Sequence, residues 1–222
     1  MFIYLQEKPE YYAIGETYLK LDFEFSESNK ILLKEIYSKK LKGISKEFFK
    51  SSEIKVSIEF DKGSLKTKIR VWGLVATIYI GIGQYGSFRQ GVREIIQDIH
   101  GLSEYVIQAI ENEQPIGPEH IIRIEKRTGL SGRINNIYNR IDRLERKLND
   151  LSQNEIRDEL NSIKQEISNI TSILPDDIQQ QLLDELPDNY RNNLPAPNNR
   201  RVNYLISRYA LKPNEEVEFI EE

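Results

Sequence analysis

Apolar residues recur in two rhythms along this 222-residue chain. Across Tyr18–Phe25 every second position is apolar: Leu19, Leu21, Phe23 and Phe25 alternate with Tyr18, Lys20, Asp22 and Glu24. Ile54–Phe60 alternates in the same way, with Ile54, Val56, Ile58 and Phe60 on one side. A period of two predicts strands with one buried face. Between them Ser26 or Ser28 caps a helix whose inward positions are Ile31, Leu32, Ile36, Leu41, Ile44 and Phe48. Phe2–Leu5 alternates weakly ahead of Pro9. The rhythm thus predicts a ββαβ module, closed by a turn at Asp61-Lys62-Gly63.

The pattern then loses its polar half. Val71–Phe88 holds eighteen residues without a charge, bracketed by Lys66, Lys68 and Arg70 before it and Arg89 and Arg93 after it. Read as a helix, it places Gly73, Thr77 and Gly81 on one face, where a second backbone can pack closely. We read an αα-hairpin, with one arm from Leu65 to Gln84, a turn at Tyr85–Phe88 and a second arm from Arg89 to Asn112 that Gly101 interrupts. Two alternatives stand beside this. One is membrane insertion of residues 69–88, since the length approaches the ~20 residues a spanning helix needs. The other is a buried strand at Ile78–Ile82.

Asn112–Pro118 reads as a linker, and Glu119–Arg127 as a helix ended by Thr128-Gly129. Beyond it Ile134, Ile137, Ile141, Leu144, Leu148 and Leu151 alternate steps of three and four, the a/d rhythm of a coiled coil. The rhythm resumes at Ile156, Leu160, Ile163, Ile167, Ile170 and Leu174 after a step of five. Ser152 and Glu155 at that step form a capping box, so a new helix is expected rather than a stutter. Pro175 closes the region. Asp176 opens a short helix to Leu186, Asp188–Arg200 is an Asn/Pro-rich loop, Val202–Leu211 a last helix, and Pro213–Glu222 an acidic tail.

The pattern therefore predicts an α+β fold in three parts. Residues 1–114 form the ββαβ module with its glycine-rich hairpin, 115–175 the coiled-coil arm, and 176–222 short helices, loop and tail.

Charge adds one feature. The net charge of −4 hides a segregation: residues 28–70 carry twelve Lys or Arg against five Asp or Glu, and residues 151–222 carry seven against fourteen. Arg133, Arg140, Arg143, Arg146 and Lys147 lie off the a/d seam and are candidate anion contacts. As flanking coiled-coil charges they would instead pair with Asp142, Glu145 and Asp150.

Chemistry is sparse. With no cysteine and two histidines, disulfides, thiolate metal sites and cysteine nucleophiles are excluded. Gly81-Ile82-Gly83-Gln84-Tyr85-Gly86 matches a dinucleotide fingerprint in letters, but its run predicts no strand–helix–strand unit. No catalytic, cofactor or metal residues are expected. The expectation is a cytoplasmic, non-enzymatic oligomerisation or scaffold subunit. It would bind itself or a protein partner through the seam. A membrane-associated effector and a nucleic-acid accessory protein are the alternatives.

Overall fold

The computed structural model describes residues 11–22, 26–28, 30, 31, 35, 54–60, 66–74, 87–111 and 118–209. Four strands make one antiparallel sheet in the order β2-β3-β1-β4: β1 (Tyr11–Leu21), β2 (Ile54–Phe60), β3 (Lys66–Leu74) and β4 (Ile121–Arg127). Among the described residues six α-helices follow β3: α1 (Phe88–Glu111), α2 (Gly129–Arg146), α3 (Gln153–Thr171), α4 (Asp176–Asp184), α5 (Asp188–Arg191) and α6 (Asn199–Tyr209). The class is α+β, with more helix than strand.

Three expectations change. The first is the hairpin arm Leu65–Gln84, whose described part is strand β3. Lys66, Lys68, Arg70 and Trp72 alternate with Thr67, Ile69, Val71 and Gly73, a period of two that the uncharged run after it obscures. β3 pairs on both sides, Gly73 facing Tyr12 across one ladder and Ile54 across the other. Gly73 is therefore no part of a helical glycine face, and residues 69–74 are not a membrane helix. Thr77, Gly81 and the strand alternative at Ile78–Ile82 lie outside the described residues. The second change is Glu119–Arg127, which is a 3-10 turn at Pro118–His120 followed by β4. Its β-branched Ile121, Ile122 and Ile124 favour a pleated, half-buried surface. The third is the boundary at 115. β4 pairs β1, and one hydrophobic cluster runs from Tyr12 to Leu205, so the sheet and the helices after it share a core.

Smaller differences follow. The first strand starts at Tyr11, earlier than Tyr18, and ends at Leu21 with a bend at Asp22; residues 23–25 lie outside the described residues, as does Phe2–Leu5. α1 runs unbroken through Gly101. The loop Asp188–Arg200 contains α5.

β1 is central. Both of its ladders are antiparallel, so β3 and β4 run parallel to each other, and α1 lies between them in sequence. Val92, Ile95, Ile99 and Leu102 recur at helical spacing on α1 and are all buried. The helix sits so close to β1 that a Cβ added at Gly15 would meet Ile99 Cγ2 at 2.8 Å. Next to it the Thr17 hydroxyl donates to Ser103 Oγ at 2.8 Å. On the far side of the core the Tyr12 hydroxyl donates to the Ile173 carbonyl at 2.6 Å, tying β1 to the end of the α3 region.

Two buried tyrosines make contrasting predictions. Tyr12 is hydrogen-bonded, whereas the Tyr138 hydroxyl is buried with no partner. Burial pushes both phenols far above their usual range, so each stays neutral. Tyr12→Phe strands the Ile173 carbonyl and should cost about 1–2 kcal/mol. Tyr138→Phe removes an unsatisfied hydroxyl and should be neutral or stabilising. Urea unfolding of both variants checks this, and equal destabilisation would contradict it.

Candidate functional site

The two segments that carry the apolar seam fold back on each other. α2 ends at Arg146, and α3 begins at Gln153 behind the capping box. Ser152 Oγ accepts from the Glu155 backbone N–H at 3.3 Å, and the Glu155 carboxylate accepts from the Ser152 backbone N–H at 2.8 Å. This is the local reason why the helix restarts after the step of five in the seam.

Burial divides the seam into two lengths. Ile134, Ile137, Ile141 and Leu144 on α2, with Ile163, Ile167, Ile170 and Leu174, are buried inside this one chain. Tyr138, Ile173, Ile178 and Leu182 join the same core. No second copy is needed to cover that length. The other four seam positions cluster at the free end: Leu148 is 46% exposed, and Leu151, Ile156 and Leu160 are only partly buried.

Charges of both signs ring this tip. Arg143, Arg146 and Lys147 are exposed on the α2 side, and Asp150, Glu155 and Asp158 on the α3 side. The basic residues complement the carbonyl end of α2. The Arg146 guanidinium donates to the Asp142 carbonyl at 3.0 Å. The Glu155 carboxyl lies below its ordinary range because the Ser152 hydroxyl and backbone N–H donate to it.

The five candidate anion contacts do not form one stripe. Arg140 donates to Glu159 at 2.9 Å and to Ser162 at 2.8 Å, bracing α2 against α3. Arg143, Arg146 and Lys147 belong to the tip. Arg133 lies at the other end of α2, where its Nε donates to the Tyr209 hydroxyl at 3.2 Å and its guanidinium sits 3.7 Å from Glu166.

At that end the structure gathers residues that periodicity did not single out. A cleft of about 370 Å³ lies between β1, the end of β4, the first turns of α2 and the end of α6. Its walls carry Lys126, Arg127, Arg133 and Arg208, with Glu16 the acid among them. Glu16 is 7% exposed and accepts from Arg127 at 2.5 Å and from Arg208 at 3.4 Å. Arg127 also bonds Glu125 and lies 5.5 Å over the Tyr18 ring. These residues come from segments over a hundred positions apart, which only the β1–β4 pairing brings together; the sole local signal was Thr128-Gly129.

Comparison with protein-family models, curated proteins and solved structures finds no match to this chain. Geometry alone therefore speaks for function. Among the described residues no group of three or more His, Asp or Glu could hold a metal ion. Among them too, no helix is long and apolar enough to cross a membrane.

A further cluster fixes α1. The Glu185 carboxylate accepts from the backbone N–H groups of Phe88 and Arg89, the latter at 2.8 Å, and so caps the helix. Arg89 lies 5.0 Å over the Tyr138 ring and binds Asp142 of α2. The Arg89 hydrogen bond holds the Asp142 carboxyl below its usual range, with Arg146 and Arg93 adding to the shift. A lowered carboxyl contributes stability above its ordinary value, about 3.9, and loses it as pH falls through the folded value. The urea midpoint should therefore drop below about pH 4. In Arg89→Met this acid dependence should be shallower, and an unchanged slope would remove the Arg89–Asp142 pair from the account.

Proposed function

We propose that this chain is a non-enzymatic assembly subunit. A second copy of the chain would cover the tip of the α2–α3 hairpin. The observation that carries the reading is Leu148. The seam runs on through Leu148 and Leu151 and resumes at Ile156 and Leu160, where the chain covers it only in part. Folding one chain buries eight of the twelve seam positions, covers Leu151, Ile156 and Leu160 only in part and leaves Leu148 exposed. Burying the tip completes that cover, at about 25 cal/mol per Å² of apolar surface removed from water.

A second copy fits the charge around it. Exposed Arg143, Arg146 and Lys147 on one side of the tip and Asp150, Glu155 and Asp158 on the other supply both signs, with Glu145 and Arg157 among them. Turning a copy through a two-fold axis brings basic residues of one tip against acidic residues of the other. This is the self-complementarity that an isologous interface requires. Like-charged tips would repel; mixed ones fix the register. On this reading the coiled-coil arm is completed between copies, the protein acts in the cytoplasm, and it takes no cofactor.

Light scattering of the full chain after size exclusion tests the proposal. The expected result is a dimer that falls to a monomer in Leu148→Lys, with melting temperature and far-ultraviolet circular dichroism preserved, because Leu148 already lies on the surface. A wild-type chain that is monomeric at high micromolar concentration would overturn it. So would a dimer that Leu148→Lys, paired with Leu151→Lys, leaves intact.

A further inference from the structure

We infer that the cleft at the start of α2 binds a phosphate-bearing small molecule. This site is separate from the hairpin tip. It lies at the opposite end of α2, about 27 Å away along an 18-residue helix.

Size, charge and donor geometry agree. The cleft's volume of about 370 Å³ falls within the range of small-molecule sites. Four cationic side chains, from β4, α2 and α6, line it, Lys126 with its ammonium on Glu104 at 2.9 Å, and the one acid on its walls is buried beneath Arg127 and Arg208. Arg133 and Arg208 hold much of their capacity in reserve. Each guanidinium offers five N–H donors. Among the described residues Arg133 donates one hydrogen bond, to Tyr209, and its Glu166 contact is an ion pair at 3.7 Å. Among them Arg208 donates one, the 3.4 Å contact to Glu16.

The backbone adds to this. Thr128 (φ −96°, ψ 21°) is followed by Gly129 at φ 52°, a right-then-left succession that turns consecutive N–H groups to one side. The Thr128 side chain makes no capping bond, and the first turn of α2 holds no acid. The positive end of the helix thus faces the cleft without an internal counter-charge.

The arrangement selects among anions. A planar carboxylate meets one guanidinium fork edge to edge. Guanidinium groups arriving from β4, α2 and α6 suit an anion with three oxygens pointing apart, which is a terminal phosphate. A nucleic-acid strand needs a track of cations along a surface. Arg140, Arg143 and Arg146 do not continue the cleft. The ligand is therefore a discrete molecule, either free phosphate or a phosphate ester whose remainder fills the rest of the volume.

Titration calorimetry and thermal melting of the full chain test this. The probes are inorganic phosphate, a nucleoside 5′-monophosphate and the unphosphorylated nucleoside, with chloride at matched ionic strength as the control. The expected result is binding by one or both phosphate probes and none by the nucleoside. Binding by phosphate alone identifies free phosphate as the ligand, and tighter binding by the ester identifies the larger molecule. Arg133→Gln with Arg208→Gln should weaken binding roughly tenfold or more. Arg143→Gln with Arg146→Gln at the tip should leave it unchanged. If the first pair fails to fold, Lys126→Gln, on an exposed side chain, takes its place. Wild-type protein that responds to phosphate no more than to chloride overturns the inference, and so does binding that the cleft variants leave intact.

Discussion

Gly15 and Ile99 are so close that no side chain fits between them, and the described architecture depends on that approach. It sets the distance from β1 to α1, and β1 is the strand that joins β4 to the rest of the sheet. With α1 seated there, Thr17 reaches Ser103, and Val92, Ile95 and Leu102 lie in the core beside Leu19. The start of α1 is then fixed from outside the sheet, by the Glu185 carboxylate on its first N–H groups and by Arg89 on Asp142. A helix held at one point by shape and at its end by charge becomes a wall that α2 and α4 can share. A larger residue at position 15 would push this wall outward, and overpacking of that kind typically costs 1–3 kcal/mol.

What the sequence made legible follows from which physical signal was strongest. The seam from Ile134 to Leu174 is long and regular, so its helices and their break at Ser152 could be read from spacing and a capping box alone. β2 was legible because Ile54, Val56, Ile58 and Phe60 alternate cleanly. β3 was misread because the strand runs into an uncharged stretch, where a period of two and a helical face both find apolar residues. β4 was misread because Pro118 and charged Arg123, Glu125 and Lys126 imitate the start of a surface helix. In an edge strand those charges have a different use: with Ile122 and Ile124 exposed beside them, they discourage another strand from adding. The cleft was beyond reach for a different reason. Glu16, Arg127 and Arg208 are scattered in sequence, and no periodicity links residues that meet only through strand pairing and the return of α6.

The arginines show how little a charge count says about a surface. By sequence, five basic residues between Arg133 and Lys147 share the outside of one helix. In the fold they have three separate tasks. Arg140 braces α3, Arg143, Arg146 and Lys147 offset the carbonyl end of α2, and Arg133 turns into a cleft beside Tyr209. The cations that converge are those from different elements, and they do so around Glu16. A carboxylate buried to 7% exposure needs paired cations to stay charged. Arg127 and Arg208 supply them, and in doing so they bring their remaining donors to the rim of the cleft.

α2 therefore has two ends of opposite character. Its start has no side-chain cap and no acid in its own first turn, with Glu16 of β1 across the cleft. Its end carries exposed Arg143, Arg146 and Lys147 beside Glu145 and the exposed Leu148. Between them Ile134, Ile137, Ile141 and Leu144 are buried almost completely, so the helix is held as a rod. Rods do not by themselves carry a signal. A ligand at the start of α2 could change assembly at its end only if it bound one arrangement of the helix better than another. The close packing of those four residues against α1 and α3 leaves one described arrangement. If cleft and tip are occupied as proposed, they are therefore independent sites on one scaffold, whose occupancies multiply rather than cooperate.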